Sequence, residues 1–221
     1  MAVNLKTPLA APLTAEAVVQ DAPVVPVIVL HQLQHAVPLA RALVAGGIRM
    51  LEVTLRTPAA LACIEAMARG VPEAVVGAGT VRSAADARDA AGAGARFLVS
   101  PGLTAAVAQA GRDVQLPLLP GVATASDILH AQEAGLQTLK FFPALQAGST
   151  AMLKAWQGPF GDVRFCPTGG IHAGNALEFL ALANVDCVGG SWLVPQDALE
   201  QGDWERITAL ARAAKALQPE I

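Results

Sequence analysis

The 221-residue sequence has no tyrosine, and aromatic residues make up only 4% of it. Charge is also sparse, at 15% of residues against about 25% for an average soluble domain. A disordered chain, a charged tail and a coiled coil all need more charge, so these classes are excluded. The 11 arginines and 4 lysines are scattered and the formal net charge is −3, so no basic stripe offers a nucleic-acid surface. Three cysteines, Cys63, Cys166 and Cys187, are too few and too oddly numbered for a disulfide framework, which points to a reducing compartment. The longest stretch without Asp, Glu, Lys or Arg runs from Ala22 to Ala40. Three prolines, two histidines and two glutamines interrupt it, so no membrane span is expected there. The first residues lack a basic-then-apolar signal peptide. The expectation is a soluble, cytoplasmic protein without membrane or nucleic-acid partners.

What the chain does have is apolar surface: 53% hydrophobic residues and 20 glycines. Such a surplus suits a core with one layer buried on both faces. Short apolar or β-rich runs recur eight times, at 24–30, 50–56, 74–80, 96–102, 116–122, 138–144, 164–170 and 187–193. Between them lie Ala- and Leu-rich segments with helical spacing, such as Leu33, Val37, Ala40 and Val44. The last such segment, 203–217, has Asp203 as its N-cap and Ile207, Leu210, Ala214 and Leu217 as its expected buried stripe. Gly47, Gly94, Gly135 and Asn184 stand between helix and strand, where a positive φ is wanted. Pro72 and Pro117 mark strand entries, and Ser83 (with Asp86) and Thr104 are expected helix starts.

Alternating strands and helices imply a parallel sheet, because parallel neighbours need a crossover. Eight units of roughly 23 residues predict a single-domain α/β protein with the closed (β/α)₈ TIM-barrel fold, in the size range of such barrels. An open doubly wound sheet would ordinarily show G-x-G-x-x-G after an early strand, and that motif is missing. The expected division is a leader over 1–23, with a short helix near Thr14–Gln20 covering the barrel's lower end, and a barrel over 24–221.

Within the strand-like runs, ionisable residues are rare enough to weigh singly. In MLEVTLR the period of two puts Glu52, Thr54 and Arg56 on one face, with Leu51, Val53 and Leu55 on the other. In TLKFFPA, Thr138, Lys140 and Phe142 share a face. The aliphatic sets suit the helix layer, so the polar sets point into the barrel. Desolvation disfavours an ammonium, and an uncharged buried amine is a nucleophile suited to forming a Schiff base with a ketone. A structural Lys–Glu ion pair filling the barrel fits the same two residues. The runs ending in PTGG (167–170) and GGS (189–191) fall where barrels commonly bind phosphate, although Gly-rich turns also serve simply as tight loops. GAGT (77–80) and SPG (100–102) would line the same mouth. His31, His35, His130 and His172 lack metal-ligand spacing, and Cys166 and Cys187 read as small core residues. Trp192 and Phe142 read as packing.

Taken in order, EVTLRT (52–57), GAGT, SPG, KFFPA (140–144), FCPTGG (165–170) and GGSWLVP (189–195) closely resemble the KDPG/KHG aldolases. These are class I, Schiff-base enzymes acting on 2-dehydro-3-deoxy-phosphogluconate and 4-hydroxy-2-oxoglutarate. The resemblance runs from about Pro23 to the last helix. It implies Lys140 as the Schiff-base lysine and Glu52 as the general acid/base. It also implies Arg56, with Thr80, at the substrate carboxylate, Thr168 near the imine, and Pro101 and Phe142 in the substrate site. Main-chain amides of Gly169, Gly170, Gly190 and Ser191, with the Ser191 hydroxyl, would hold the phosphate. A homotrimer needing no metal or other cofactor is implied too. The loop ALQAGST (144–150) is less Gly-rich than that pattern, and His172 stands where small polar residues are common. Other readings are an aldolase for the galactonate epimer, a metal-dependent phosphosugar isomerase, or a non-catalytic sugar-phosphate-binding barrel.

Overall fold

In a computed structural model, residues 12–217 are described. Residues 1–11 of the expected leader, Lys6 among them, and residues 218–221 lie outside them. Helices and strands alternate through most of the described residues. Helix α1 (Ala15–Gln20) precedes β1 (Val24–Ile28), α2 (Ala36–Ala45), β2 (Met50–Thr54), α3 (Ala60–Gly70), β3 (Val75–Gly79) and α4 (Ala84–Gly92). Then come β4 (Leu98–Val99), α5 (Ala105–Asp113), β5 (Leu118–Leu119), β6 (Gly121–Val122), α6 (Ala125–Glu133) and β7 (Thr138–Phe141). The chain continues through α7 (Ser149–Trp156), β8 (Arg164–Pro167), α8 (Ala176–Leu180), β9 (Val188–Gly190), α9 (Gln196–Gln201) and α10 (Trp204–Lys215).

All the strand pairings are parallel, and they close into a ring. One arc runs β5-β4-β3-β2-β1-β9 and the other β6-β7-β8. The arcs join through the continuous segment 118–122, which pairs with β4 by its first half and with β7 by its second. They join again through parallel bridges between Thr168 and Gly189 and between Phe165 and Val185. The expected fifth strand is therefore present in two pieces. Pro120, with no N–H to donate, divides them. The expected seven-residue runs are longer than the strands, because their C-terminal residues turn into the loops of the barrel mouth. This is the (β/α)₈ barrel in one domain.

Two apolar layers follow from the strand period of two. Outward residues such as Leu51, Val53, Val76, Leu139 and Phe165 pack under the helices. Inward residues Val25, Met50, Val75, Phe97, Leu119 and Cys166 form a second cluster inside the ring. Val18 and Val19 of α1 belong to that inner cluster, so the N-terminal helix seals the lower end. The Thr14 hydroxyl caps α1 by accepting from Ala17 N, and the Thr138 hydroxyl inside the barrel donates to Glu16 Oε1 at 3.1 Å.

Ser83, Thr104 and Asp203 cap their helices as expected, and α6 carries a full capping box from Thr124 and Asp127. Each such cap contributes about 1 kcal/mol. Gly47, Gly94 and Gly135 have φ of 92°, 91° and 77°. Asn184 differs from its expectation. It does not take a positive φ; its buried side chain donates to Leu153 O at 2.9 Å and accepts from Gln157, tying α7 to the β9 entry. On α2 the buried residues are Ala36, Leu39, Ala40, Ala42 and Leu43, because α2 packs between α3 and α10, while Leu33 lies in a 3₁₀ turn (Leu33–His35) ahead of the helix and is exposed. On α10, Ala211 takes the fully buried place expected of Leu210, for Gly46 comes so close there that only a small side chain fits.

Candidate active site

Lys140 on β7 and Glu52 on β2 come from opposite sides of the ring and meet inside it. Their side chains are 5% and 4% exposed, and Nζ lies 3.1 Å from Oε1. Of the other described lysines, Lys154 lies on α7 and Lys215 ends α10, so only Lys140 is set in a strand. A charged pair this deep survives only with good geometry, since taking both ions from water costs several kcal/mol each before their attraction is counted. The backbone makes space for it. A Cβ on Gly79, in β3, would fall 2.3 Å from Glu52 Oε1. The Phe142 ring, two residues beyond Lys140 on the same face, has its centroid 5.4 Å from Nζ.

Just above this pair opens a cavity of about 230 Å³, lined in part by Arg56, Phe142, Thr168, Gly169, Gly170, Gly190 and Ser191. These seven were all expected at the site. Val27, Val29, Ile171 and Gly189 also line it. The sequence marked Val27, Val29 and Gly189 only as members of apolar or Gly-rich runs and did not mark Ile171. Val27 is the register partner of Glu52, so the ion pair lies directly against the cavity wall. Thr80 does not line the cavity; its Oγ1 accepts from Arg56 Nε at 3.1 Å. Pro101 is exposed in the loop after β4 and also stands off the cavity. Its carbonyl packs on Gly121, where a Cβ would lie 2.2 Å away. Gly121 in turn is the register partner of Lys140.

Glycine is required at the phosphate-type end by contact and by conformation. A Cβ on Gly189 would fall 2.2 Å from Thr168 Oγ1, and one on Gly190 would fall 1.7 Å from a carbon of the Trp192 ring. Gly169 and Gly170 have φ of 108° and 75°, a conformation that lets successive N–H groups turn toward one side. The cavity thus has a guanidinium, a neutral backbone cradle and an apolar wall, above a buried amine and carboxylate. Such an arrangement can hold a small dianionic chain by both ends over a nucleophile.

Elsewhere the chemistry is thinner. A larger hollow of about 590 Å³ lies between α2 and α10, but it sits on the helical shell and holds no buried ionisable pair. Cys166 and Cys187 are buried; the hydrogen bond that the Cys187 thiol makes to Cys166, then burial, pushes that thiol well up, which makes it a poor nucleophile. His172 folds onto its own turn, its Nδ1 accepting from Gly174 N at 3.1 Å. Among the described residues, no three His, Cys, Asp or Glu side chains gather as a metal-binding group.

The family model for KDPG and KHG aldolases matches residues 15–210. The chain belongs to that family. A 2-dehydro-3-deoxy-phosphogluconate aldolase of Dickeya dadantii (strain 3937) is 53% identical over 203 residues, covering 92% of this chain and 95% of its own. A KHG/KDPG aldolase of Escherichia coli K12 is 53% identical over 201 residues, covering 91% and 94%. Among solved structures, a KDPG aldolase of Legionella pneumophila with pyruvate captured as a covalent carbinolamine superposes with a TM-score of 0.90. It is 47% identical and covers 92% of this chain and 99% of its own. A Zymomonas mobilis ZM4 aldolase solved with 3-phosphoglycerate gives 0.88 at 46% identity, covering 95% and 98%. Its membership in the KDPG and KHG aldolases accounts for the order of the six motifs along the chain.

Proposed function

We propose that the chain is a class I aldolase that cleaves 2-dehydro-3-deoxy-6-phosphogluconate to pyruvate and glyceraldehyde 3-phosphate. The observation that carries this reading is the buried Lys140–Glu52 contact of 3.1 Å behind the cavity wall that Val27 and Phe142 form. Lys140 Nζ adds to the C2 carbonyl of the 2-keto acid, giving a carbinolamine of the type captured on the Legionella relative. Loss of water leaves a protonated imine. Glu52, directly or through a water, takes the C4 hydroxyl proton while the C3–C4 bond breaks. The bonding pair moves into the imine and leaves an enamine. Glyceraldehyde 3-phosphate departs, Glu52 returns a proton to C3, and hydrolysis of the new imine frees pyruvate and Lys140.

The remaining cavity residues divide the substrate between them. Arg56 grips the carboxylate through its planar fork, which matches two oxygens, and Thr80 steadies the guanidinium. Thr168 and Phe142 flank the imine, and Pro101, which stands off the cavity, acts on the substrate site through Gly121, the register partner of Lys140. The amides of Gly169, Gly170, Gly190 and Ser191, with the Ser191 hydroxyl, receive the phosphate. The same lysine and acid cleave 4-hydroxy-2-oxoglutarate to pyruvate and glyoxylate, for which the phosphate cradle goes unused. Relatives bearing both activities in their names support this second substrate.

The assembly we propose is a cytoplasmic homotrimer. Among the described residues no helix is long and apolar enough to cross a membrane, and the cysteines are buried thiols. Leu33, Leu129 and Leu177 are exposed large apolar side chains of the kind that subunit contacts cover. Light scattering on the purified chain tests the trimer.

Borohydride reduction in the presence of pyruvate, followed by peptide mapping, tests the chemistry. The expected adduct is on Lys140 in the KFFP peptide. A turnover-competent enzyme with no adduct there would overturn the assignment.

A further inference from the structure

Arg56 is exposed, yet the loop that carries it is tied down on both sides. Leu55 N donates to Gly79 O at 2.8 Å, and Arg56 N to Thr54 O at 2.8 Å. The Thr54 hydroxyl donates to Ile28 O at 2.9 Å, and the Thr57 hydroxyl donates to Leu30 O. Ile28 is the last residue of β1 and Leu30 lies two residues beyond it. Two threonines flanking one arginine therefore anchor to the carbonyls at the end of the neighbouring strand. Thr54 is fully buried, where a hydroxyl without a partner would be costly, so its single short bond fixes its rotamer.

The end of β1 is also the adjoining wall of the cavity. Val27 and Val29 line it, beside the space that Arg56 borders from the loop after β2. The hydroxyls of Thr54 and Thr57 thus join the two walls. The guanidinium itself is held through its Nε by Thr80, a β-branched residue at φ 61°, a strained conformation retained beside the site. Thr54 and Thr57 thus fix the backbone that carries Arg56, while Thr80 holds its side chain.

We infer that Thr54 and Thr57 are positioning residues that act through Arg56, setting where the carboxylate of the 2-keto acid rests relative to Lys140. This rests on the reading of Arg56 as the carboxylate grip. A grip used equally before and during bond cleavage contributes uniform binding, so loosening it raises KM and leaves kcat near its original value.

The test is a double-mutant cycle with steady-state cleavage of 2-dehydro-3-deoxy-6-phosphogluconate. Thr57→Val keeps the shape and removes the donor; KM is expected to rise about tenfold with little change in kcat, in line with the loss of one hydrogen bond. Thr57→Ser restores KM. Thr54→Val is expected to behave in the same way, with Thr54→Ser as the variant that keeps both hydroxyl and fold. Arg56→Gln raises KM further, and adding Thr57→Val to it has no additional effect. A raised KM in Arg56→Gln with Thr57→Val silent in the parent overturns the positioning role alone. So does an equal effect of Thr57→Val with and without Arg56. An unchanged KM in Arg56→Gln overturns the carboxylate reading and this inference with it.

Discussion

The two ends of the barrel interior use the same strands for opposite purposes. At the lower end the inward side chains are Val25, Met50, Val75 and Phe97, closed from below by Val18 and Val19. One pleat higher, on the same faces of β2 and β7, the side chains are Glu52 and Lys140. Met50 precedes Glu52 by two residues and Thr138 precedes Lys140 by two, so each strand changes from structural filling to chemistry within about 7 Å. The lower layer gains stability from every buried methylene, about 0.8 kcal/mol each. The upper layer gains little or nothing from its ion pair, because desolvation offsets the attraction. The dry lower layer shields the pair from water beneath, while the pair is what gives the mouth a function.

That contrast is broken most severely at Lys140. Lys140→Ala is expected to abolish cleavage and borohydride trapping together, and Lys140→Arg to fail similarly because a guanidinium does not deprotonate. Lys140→Ala also leaves Glu52 buried without its cation, at a cost of about 3–5 kcal/mol. Replacing both members, as Lys140→Met with Glu52→Leu, is expected to give an inactive barrel at least as stable as the parent. Denaturant unfolding of the three proteins checks this. A double variant as unstable as Lys140→Ala would show that the pair holds the barrel together after all.

Glu52→Gln separates the two roles more gently. The amide keeps the volume and a hydrogen-bonding partner for Nζ but cannot shuttle protons. It is expected to trap pyruvate while cleavage slows by about 10²–10⁴, the usual range for a general acid–base. Near-normal cleavage by this variant, read in a coupled pyruvate assay, would remove Glu52 from that role.

The upper layer was legible in the sequence because it violates the pattern around it. A glutamate and a lysine in the middle of short strand-like runs, each flanked by aliphatic or aromatic neighbours, stand out, and the period of two gives their direction. The Gly-rich ends of the seventh and eighth runs were legible for a similar reason. Val27 and Val29 were not, since an apolar residue lining a cavity looks the same in sequence as one in a core. Thr54 and Thr57 were hidden too, because threonine is ordinary in and after a strand, and only the carbonyls of Ile28 and Leu30 give their hydroxyls a purpose. The barrel itself followed from the eightfold alternation. The division at Pro120 and the rotated face of α2 depend on neighbours distant in the chain, which local periodicity does not report.

At the lower end the expected effect is smaller and of the opposite kind. Val19, with no exposure, packs among the inward residues of the strands. Val19→Ala removes about two methylene equivalents and is expected to cost about 2 kcal/mol. The melting temperature falls by about 4–8 °C for a chain of this length. Turnover at 25 °C is expected to be unchanged, because the layer touches no substrate. A loss of kcat in the still-folded variant would mean that the floor does more than seal.

The smallest effect distinguishes Glu52 from a carboxylate that also sits on the mouth side, where the helices begin. Asp127 closes the capping box of α6, accepting from Ala123 N at 3.0 Å and Thr124 N at 2.9 Å. Burial pushes its carboxyl up, but the hydrogen bonds from Ala123 and Thr124, with the nearby His130, outweigh that and leave it below its ordinary range. A folded-state value below the unfolded one means stability that is present above the unfolded pKa and lost as pH falls through the folded one. Asp127→Asn is therefore expected to cost about 0.5–1 kcal/mol at neutral pH, with the difference from the parent shrinking below about pH 4. Urea melts of both proteins at pH 7 and pH 3.5 measure it, and pyruvate release at pH 7 should not change. A constant difference across that range would assign the effect to packing rather than to charge, and a loss of turnover would mean that the cap and the catalytic acid are not separable.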